Sequence, residues 1–173
     1  TMKFLKTKLC FVSKLRLKTN VSQLFIIFIF IILYSVLSIV KHLNYGPGYD
    51  LAVSDQFIWQ FSRFKPAITT IHSYPFTSIF ADHFELIFLL ISPIFWIWDN
   101  AISLILLQNI LICLSALPVF LLARKKGVNQ LLSLVLMVSY LSFFGIQNSL
   151  WSDVHSIVFA ASFLPWFVFF LDV

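Results

Sequence analysis

The chain has 173 residues, of which 60% are hydrophobic, 18% aromatic and 11% charged, and its mean hydropathy is +0.95. Soluble domains carry about a quarter charged residues, so this composition excludes an ordinary soluble domain and indicates an integral membrane protein. The net charge of +5 does not indicate nucleic-acid binding, because its basic residues cluster beside apolar runs: six lie between Lys3 and Lys18, and three form Arg124-Lys125-Lys126.

The first predicted elements are a basic segment over residues 1–20 and an apolar run over residues 21–40. Twenty helical residues rise about 30 Å, which matches the hydrocarbon core of a bilayer. The alternative is a cleaved signal peptide, but the run is too long for its apolar region and no cleavage site of small residues follows it, so an uncleaved first span is expected. Since basic flanks favour the cytoplasm, the amino terminus is expected inside, as in a multi-pass protein of the cell membrane.

Three later apolar runs predict further spans at residues 101–123, 128–146 and 156–172. The basic block at 124–126 then lies on the same cytoplasmic side as the amino terminus. A chain that stops at Asp172-Val173, directly after an apolar run, is expected to be the amino-terminal part of a longer protein. The sequence is thus divided into a basic segment, 1–20, and a transmembrane domain, 21–173.

A further apolar segment, residues 84–98, is ambiguous. Its fifteen residues would rise only about 22 Å as a helix, and Pro93 interrupts it. If this segment crossed the membrane, the next span would carry the basic block at 124–126 to the outer side, against the preference of basic clusters for the cytoplasm. We therefore predict that it does not cross and forms a juxtamembrane helix at 83–98. It shares the outer loop, 41–100, with a helix at about 51–63. The predicted fold is all-α: a polytopic membrane protein with about four transmembrane helices and juxtamembrane helices in the first outer loop.

This topology places six of the seven acidic residues and all four histidines on the outer side. Two short motifs there, DH and DVH, pair a carboxylate with an imidazole. Such mixed oxygen and nitrogen ligands suit Mn²⁺ or Mg²⁺, and imidazole also admits Zn²⁺. The candidate metal ligands are Asp82, His83, Asp153 and His155, joined by Asp50 or Asp55.

Helix capping is the structural alternative for the same acidic residues. Asp50 follows a glycine-proline-glycine turn and can cap the next helix, and Asp82 and Glu85 have the spacing of a capping box. Asp153 can cap the last span in the same way. Asp55 fits the capping interpretation less well, because it lies inside the predicted helix and aspartate is a weak helix former.

Four blocks in a fixed order carry a resemblance: YDLAVSDQFIWQ, ADHFELIFLLISPIFWIW, LPVFLLARKKG and SDVHS. Together they resemble the DUF2079 family of predicted bacterial and archaeal membrane proteins, whose function is unassigned. Their layout is also similar to the GT-C superfamily of glycosyltransferases that use lipid-linked sugars. That likeness is one of architecture, and function has to be argued from the site.

The GT-C resemblance implies a polyprenyl-phosphate-linked sugar donor at the outer face of the membrane. Asp50 takes the place of the first-loop acidic residue, which acts as base or orients the acceptor. Asp153 takes the place of the second-loop acidic residue, which binds the metal in some members. The chain departs from the pattern, since Leu51 follows Asp50 where the superfamily commonly has glutamate, and Asp82-His83 has no firm counterpart.

The resulting hypothesis is a glycosyltransferase with Asp50 and Asp55 as catalytic candidates. A divalent cation would offset charge on the leaving phosphate. Its partners would be the bilayer and a lipid-linked sugar, and the candidates for substrate binding are Gln56, Trp59, Arg63 and Lys65. The alternative is a non-catalytic membrane protein, such as a transporter or flippase subunit or a scaffold, in which the outer acids only cap helices and the tryptophans anchor at the interface.

Overall fold

The computed structural model describes residues 21–46, 48–70, 78, 80 and 85–172. Helices dominate these residues, and the only β pairing among them is an isolated antiparallel bridge between Ile68 and Ser78. The prediction of an all-α membrane protein is confirmed. The helices are α1 (Val21–Tyr45), α2 (Tyr49–Ser62), α3 (Leu86–Ile91), α4 (Ile94–Ile97), α5 (Ala101–Leu114), α6 (Ala116–Lys125), α7 (Gln130–Leu141), α8 (Phe144–Trp151) and α9 (Ser156–Asp172).

Two helical stretches among the described residues are long and apolar enough to cross a membrane, by length and composition. They are α1 and the continuous stretch Ala101–Lys125, which joins α5 to α6. A third crossing exists if α7 and α8, which meet at an angle of 42°, form one broken span. Helix α9 is apolar but has 17 residues, so the predicted count of four spans remains a prediction.

Prolines divide two of the predicted helices. Pro118 lies four residues after Leu114, the last residue of α5, and a proline ring clashes with the carbonyl group four residues before it. In the first loop, Pro93 separates α3 from α4, so the segment predicted as one helix at 83–98 contains two short ones. Both breaks turn the chain without ending the apolar segment.

Two hydrophobic clusters form the core. One lies between the long helices, with Tyr34, Phe120 and Met137 among its buried members. The other joins the first-loop helices α2, α3 and α4 to the beginnings of α5 and α9, and it contains Phe88 and Phe159. The first-loop helices therefore cover one end of the bundle rather than extending its length.

Ion pairs identify the two ends of the bundle. At one, Asp172 of α9 binds Lys125 at 2.9 Å and Lys126 at 2.7 Å. At the other, Lys41 of α1 lies 3.6 Å from Asp153, which precedes α9. We call these the Lys125 end and the Lys41 end. Helix α9 thus runs antiparallel to α1, and the predicted site residues Asp50, Asp153 and His155 lie at the Lys41 end, opposite the basic block.

Candidate functional site

Asp50 and His155 meet at the Lys41 end. Asp50 is the second residue of α2, and His155 directly precedes α9. The imidazole Nε2 lies 3.7 Å from the carboxylate Oδ2, and both side chains are partly exposed. Gln108 of α5 holds the His155 segment in place, since its Oε1 accepts a hydrogen bond from the His155 N–H at 3.3 Å. The pair is thus accessible from solvent but held by a buried amide.

Asp153 packs against the turn that precedes α2. A Cβ added to Gly48 would lie 1.6 Å from Asp153 Oδ2, so the carboxylate occupies the space that any other side chain would need. Gly48 is the N-cap residue of α2, and a negative charge at a helix N-terminus is favourable. Lys41 completes the arrangement: its Nζ lies 3.6 Å from Asp153 Oδ1 and donates a 2.6 Å hydrogen bond to the Trp151 carbonyl.

The prediction that Asp50 caps α2 is wrong. Helix α2 has Gly48, not Asp50, at its N-cap, and no side chain caps it by a hydrogen bond. Asp50 still lies in the first turn, where its charge is favourable. The predicted capping box of Asp82 and Glu85 lies partly outside the described residues; Glu85 itself is the N-cap residue of α3 and accepts a hydrogen bond from the Ser156 hydroxyl. These acids therefore join separate segments of the chain.

The family model that matches the chain is that of DUF2079, described as a predicted membrane protein, over residues 39–172. The chain belongs to this family. The match begins in the last turns of α1 and includes Lys41, Asp50, Asp153 and His155. No curated protein and no solved structure matches the chain.

The second catalytic candidate of this DUF2079 chain, Asp55, lies on α2 in a different environment. Burial raises the pKa of its carboxyl above the ordinary 3.8, the negative charge of Asp99 raises it further, and His42 opposes the shift. The structure thus groups Asp55 with Asp99 and His42, whereas Asp50 contacts His155. A carboxyl whose pKa is raised toward neutrality is a better proton acceptor than an ordinary one.

Replacing Asp55 by asparagine is expected to raise the melting temperature of the detergent-solubilised protein at pH 7. The folded-state pKa lies above the unfolded value, so the wild-type protein loses stability as the pH rises through the folded pKa and the buried carboxyl ionises. The gain should disappear below about pH 3.8, where the carboxyl is protonated in both states. Asp172→Asn is the matched control and should lower the melting temperature at pH 7, because that carboxylate binds two lysines. An Asp55→Asn gain that is independent of pH would contradict the assignment.

The candidate substrate-binding residues lie farther along α2 and in the loop after it. The Gln56 amide bonds that loop: Oε1 accepts from Thr69 Oγ1 at 2.9 Å, and Nε2 donates to Thr70 Oγ1 at 3.1 Å. Trp59, Arg63 and Lys65 form an exposed group in which Lys65 Nζ lies 4.5 Å from the centre of the Trp59 ring. Arg63 also binds Asp99 at 2.9 Å. No contact joins these four residues to the pair of Asp50 and His155 within the described part of the chain.

The proposed metal ligands are only partly brought together. Asp82 and His83 lie outside the described residues, and within those residues no group of three or more histidine, cysteine, aspartate or glutamate side chains could hold a metal ion. The Lys41 ammonium beside Asp153 would also repel a cation. The described donor set therefore does not fit a metal, and the divalent cation stays a prediction.

Sequence reasoning missed two residues of this site, Lys41 and His42. Lys41 lies at the end of the first predicted span that is opposite the basic amino-terminal segment, where a basic residue runs against the positive-inside rule. That exception is the signal that could have identified it. His42 lies in the last turn of α1, and its Nδ1 is buried without a hydrogen-bond partner in the described structure. Both line a cavity of about 20 Å³ together with Ser152 and Asp153, which is large enough for one water molecule.

Proposed function

We propose that this DUF2079 protein is a membrane glycosyltransferase of the GT-C type, which transfers sugar from a polyprenyl-phosphate donor at the outer face. One observation carries the proposal: an acid of the first loop, Asp50, lies 3.7 Å from His155, which precedes α9. These are the two loops that the GT-C layout uses for its acidic site. Because a likeness of layout alone does not define activity, the proposal rests on the chemistry of this pair.

The Asp50 carboxylate would act as general base on the acceptor. In this mechanism the acceptor hydroxyl gives its proton to the carboxylate as its oxygen attacks the anomeric carbon of the sugar. The bond between that carbon and the phosphate oxygen breaks, and the polyprenyl phosphate leaves with the bonding electrons. His155 would orient the carboxylate, and Asp55, whose carboxyl pKa is raised by burial, is the second candidate base.

The cations after α2 would stabilise the leaving phosphate. Arg63 and Lys65 place their charges over the Trp59 ring, 5.9 Å and 4.5 Å from its centre, and charge-assisted hydrogen bonds to phosphate are about twice as strong as neutral ones. Trp59, which is 37% exposed, offers a flat apolar surface for a sugar ring. A donor phosphate bound here would lie nearer to Asp55 than to Asp50, because Asp50 is about 20 Å from Arg63 along α2.

A non-catalytic membrane component is the second candidate, favoured by the ion pairs themselves. Asp153 pairs with Lys41, Asp99 with Arg63, and Asp172 with Lys125. In a transporter or flippase subunit or a scaffold, such pairs would join helices and need no substrate. The two candidates differ in whether Asp50 is needed for turnover; among the described residues its one possible cationic partner is a protonated His155.

A direct assay uses the complete protein, purified and reconstituted in vesicles. The vesicles contain a panel of polyprenyl-phosphate donors with radiolabelled sugars, together with a membrane extract that supplies acceptors. We expect release of free polyprenyl phosphate and transfer of label from at least one lipid-linked donor, and no transfer from the corresponding nucleotide sugars. Failure of every lipid-linked donor, with correctly folded protein, would favour the non-catalytic alternative.

A further inference from the structure

A groove opens on the lipid-facing side of the bundle between α1 and α8. Its volume is about 270 Å³, close to the roughly 300 Å³ at which small-molecule pockets begin. Tyr34, Leu37 and Ser38 line it from α1, and Phe144 and Trp151 mark its two ends on α8. The groove is open at the surface of the bundle, so it is accessible without rearrangement of the helices.

The groove lies beside the break between α7 and α8, where backbone carbonyl groups lose their helical partners. Side chains replace those partners: the Tyr34 hydroxyl donates to the Leu141 carbonyl at 2.6 Å, and Gln147 Nε2 donates to the Ser142 carbonyl at 2.9 Å. Irregular backbone at membrane depth is tolerated where it is buried or lines a cavity. The break is therefore a stable feature that gives the groove its inner end.

The outer end of the groove adjoins the polar cluster at the Lys41 end. Ser38 and Leu150 line both the groove and the small cavity that contains Lys41 and Asp153. Trp151 links the same two regions, since it lines the groove while its carbonyl group accepts a hydrogen bond from Lys41. The groove therefore lies next to an ammonium and a carboxylate that are 3.6 Å apart and both partly exposed, and Ser38 and Leu150, which line both spaces, are joined by a 2.9 Å hydrogen bond.

We propose that this groove binds one acyl chain of a zwitterionic phospholipid of the phosphatidylethanolamine type. The Lys41 ammonium has three N–H donors and would give one to the lipid phosphate, and the Asp153 carboxylate would accept from the lipid ammonium. An anionic lipid such as phosphatidylglycerol fits less well, because it has no ammonium from which the Asp153 carboxylate could accept a hydrogen bond. The proposal goes beyond sugar transfer and does not depend on it, since the lipid would be bound rather than consumed.

Photolabelling in vesicles tests this site without any activity measurement. The complete protein is reconstituted in equal parts phosphatidylethanolamine and phosphatidylglycerol, with a diazirine-bearing acyl chain on one of the two lipids at a time. We expect the phosphatidylethanolamine probe to label Leu37 and residues 144–151 above the rest of the lipid-facing surface, and above the phosphatidylglycerol probe. Lys41→Gln should remove the difference between the probes.

Filling the groove provides the matched pair of variants. Leu37→Trp should abolish the groove label, whereas Leu33→Trp, one turn earlier on α1 and outside the groove, should leave it unchanged. The two leucines are 44% and 46% exposed, so the variants differ in position rather than in exposure. Three results would overturn the proposal: label spread evenly over the lipid-facing surface, equal or stronger labelling by the phosphatidylglycerol probe, or no label because another helix covers the groove. Displacement by added polyprenyl phosphate, but not by added phosphatidylethanolamine, would assign the groove to the sugar donor and overturn it as well.

Discussion

Asp50→Asn is expected to lower the rate of sugar transfer by the complete protein about 100-fold or more, because a general base contributes 10²–10⁴ in rate. Asparagine has nearly the shape of aspartate but cannot accept a proton at neutral pH. The carboxylate lies 3.7 Å from His155 and is 52% exposed, so an acceptor can reach it. Transfer is measured with the reconstituted protein and a lipid-linked donor.

Stability and charge controls separate this effect from unfolding. Asp50 lies in the first turn of α2, so loss of its charge should cost only about 0.3–1 kcal/mol of folding free energy. Asp172→Asn makes the same change at the Lys125 end and should keep near-normal activity per folded molecule. If Asp50→Asn retains normal transfer, the carboxylate is not the base, and the non-catalytic account of the acids gains support.

Gly48→Ala is expected to reduce the free energy of unfolding by about 1–3 kcal/mol, the usual cost of overpacking. The new Cβ would lie 1.6 Å from Asp153 Oδ2 and 2.2 Å from its Cγ, so the carboxylate must leave its place beside Lys41. The backbone angles at Gly48, φ −71° and ψ 172°, suit alanine. The cost should therefore come from the contact and not from backbone strain.

A double-mutant cycle isolates that contact. With Asp153→Ala already present, Gly48→Ala should cost almost nothing, so the two changes are strongly non-additive. Gly46→Ala is the control: its φ of +75° is strained for alanine, but nothing lies within 4 Å of the added Cβ. Its cost, about 1–2 kcal/mol, should be the same with or without Asp153. An equal cost of Gly48→Ala in both backgrounds would show that Asp153 does not pack on the turn.

The fold class was predictable because apolar length and charge clustering are local properties of the sequence. The residues at which helices end were less predictable. The first apolar run stops at Val40, but α1 continues to Tyr45, because polarity marks the membrane surface rather than the last helical residue. Similarly, Pro118 interrupts a uniformly apolar run, and its position divides α5 from α6.

The sequence predicted which residues of the site lie at the Lys41 end, but it did not predict which of them contact each other. The positive-inside rule placed Asp50, Asp153 and His155 on one side, and the structure brings them to the same end of the bundle. No local pattern shows that Asp153 would pack on Gly48, because that contact depends on how α9 lies against the first loop.

The central claim is that the beginning of α2 and the segment before α9 form one site at the outer face. It is tested most directly by cross-linking Asp50→Cys to His155→Cys in intact cells with a membrane-impermeant bifunctional thiol reagent. The complete protein would carry no other cysteine and a protease site in the turn after α6. We predict that the two fragments stay joined after proteolysis for this pair but separate for the control pair Asp50→Cys and Asp172→Cys. Separation of the fragments for both pairs would contradict the account.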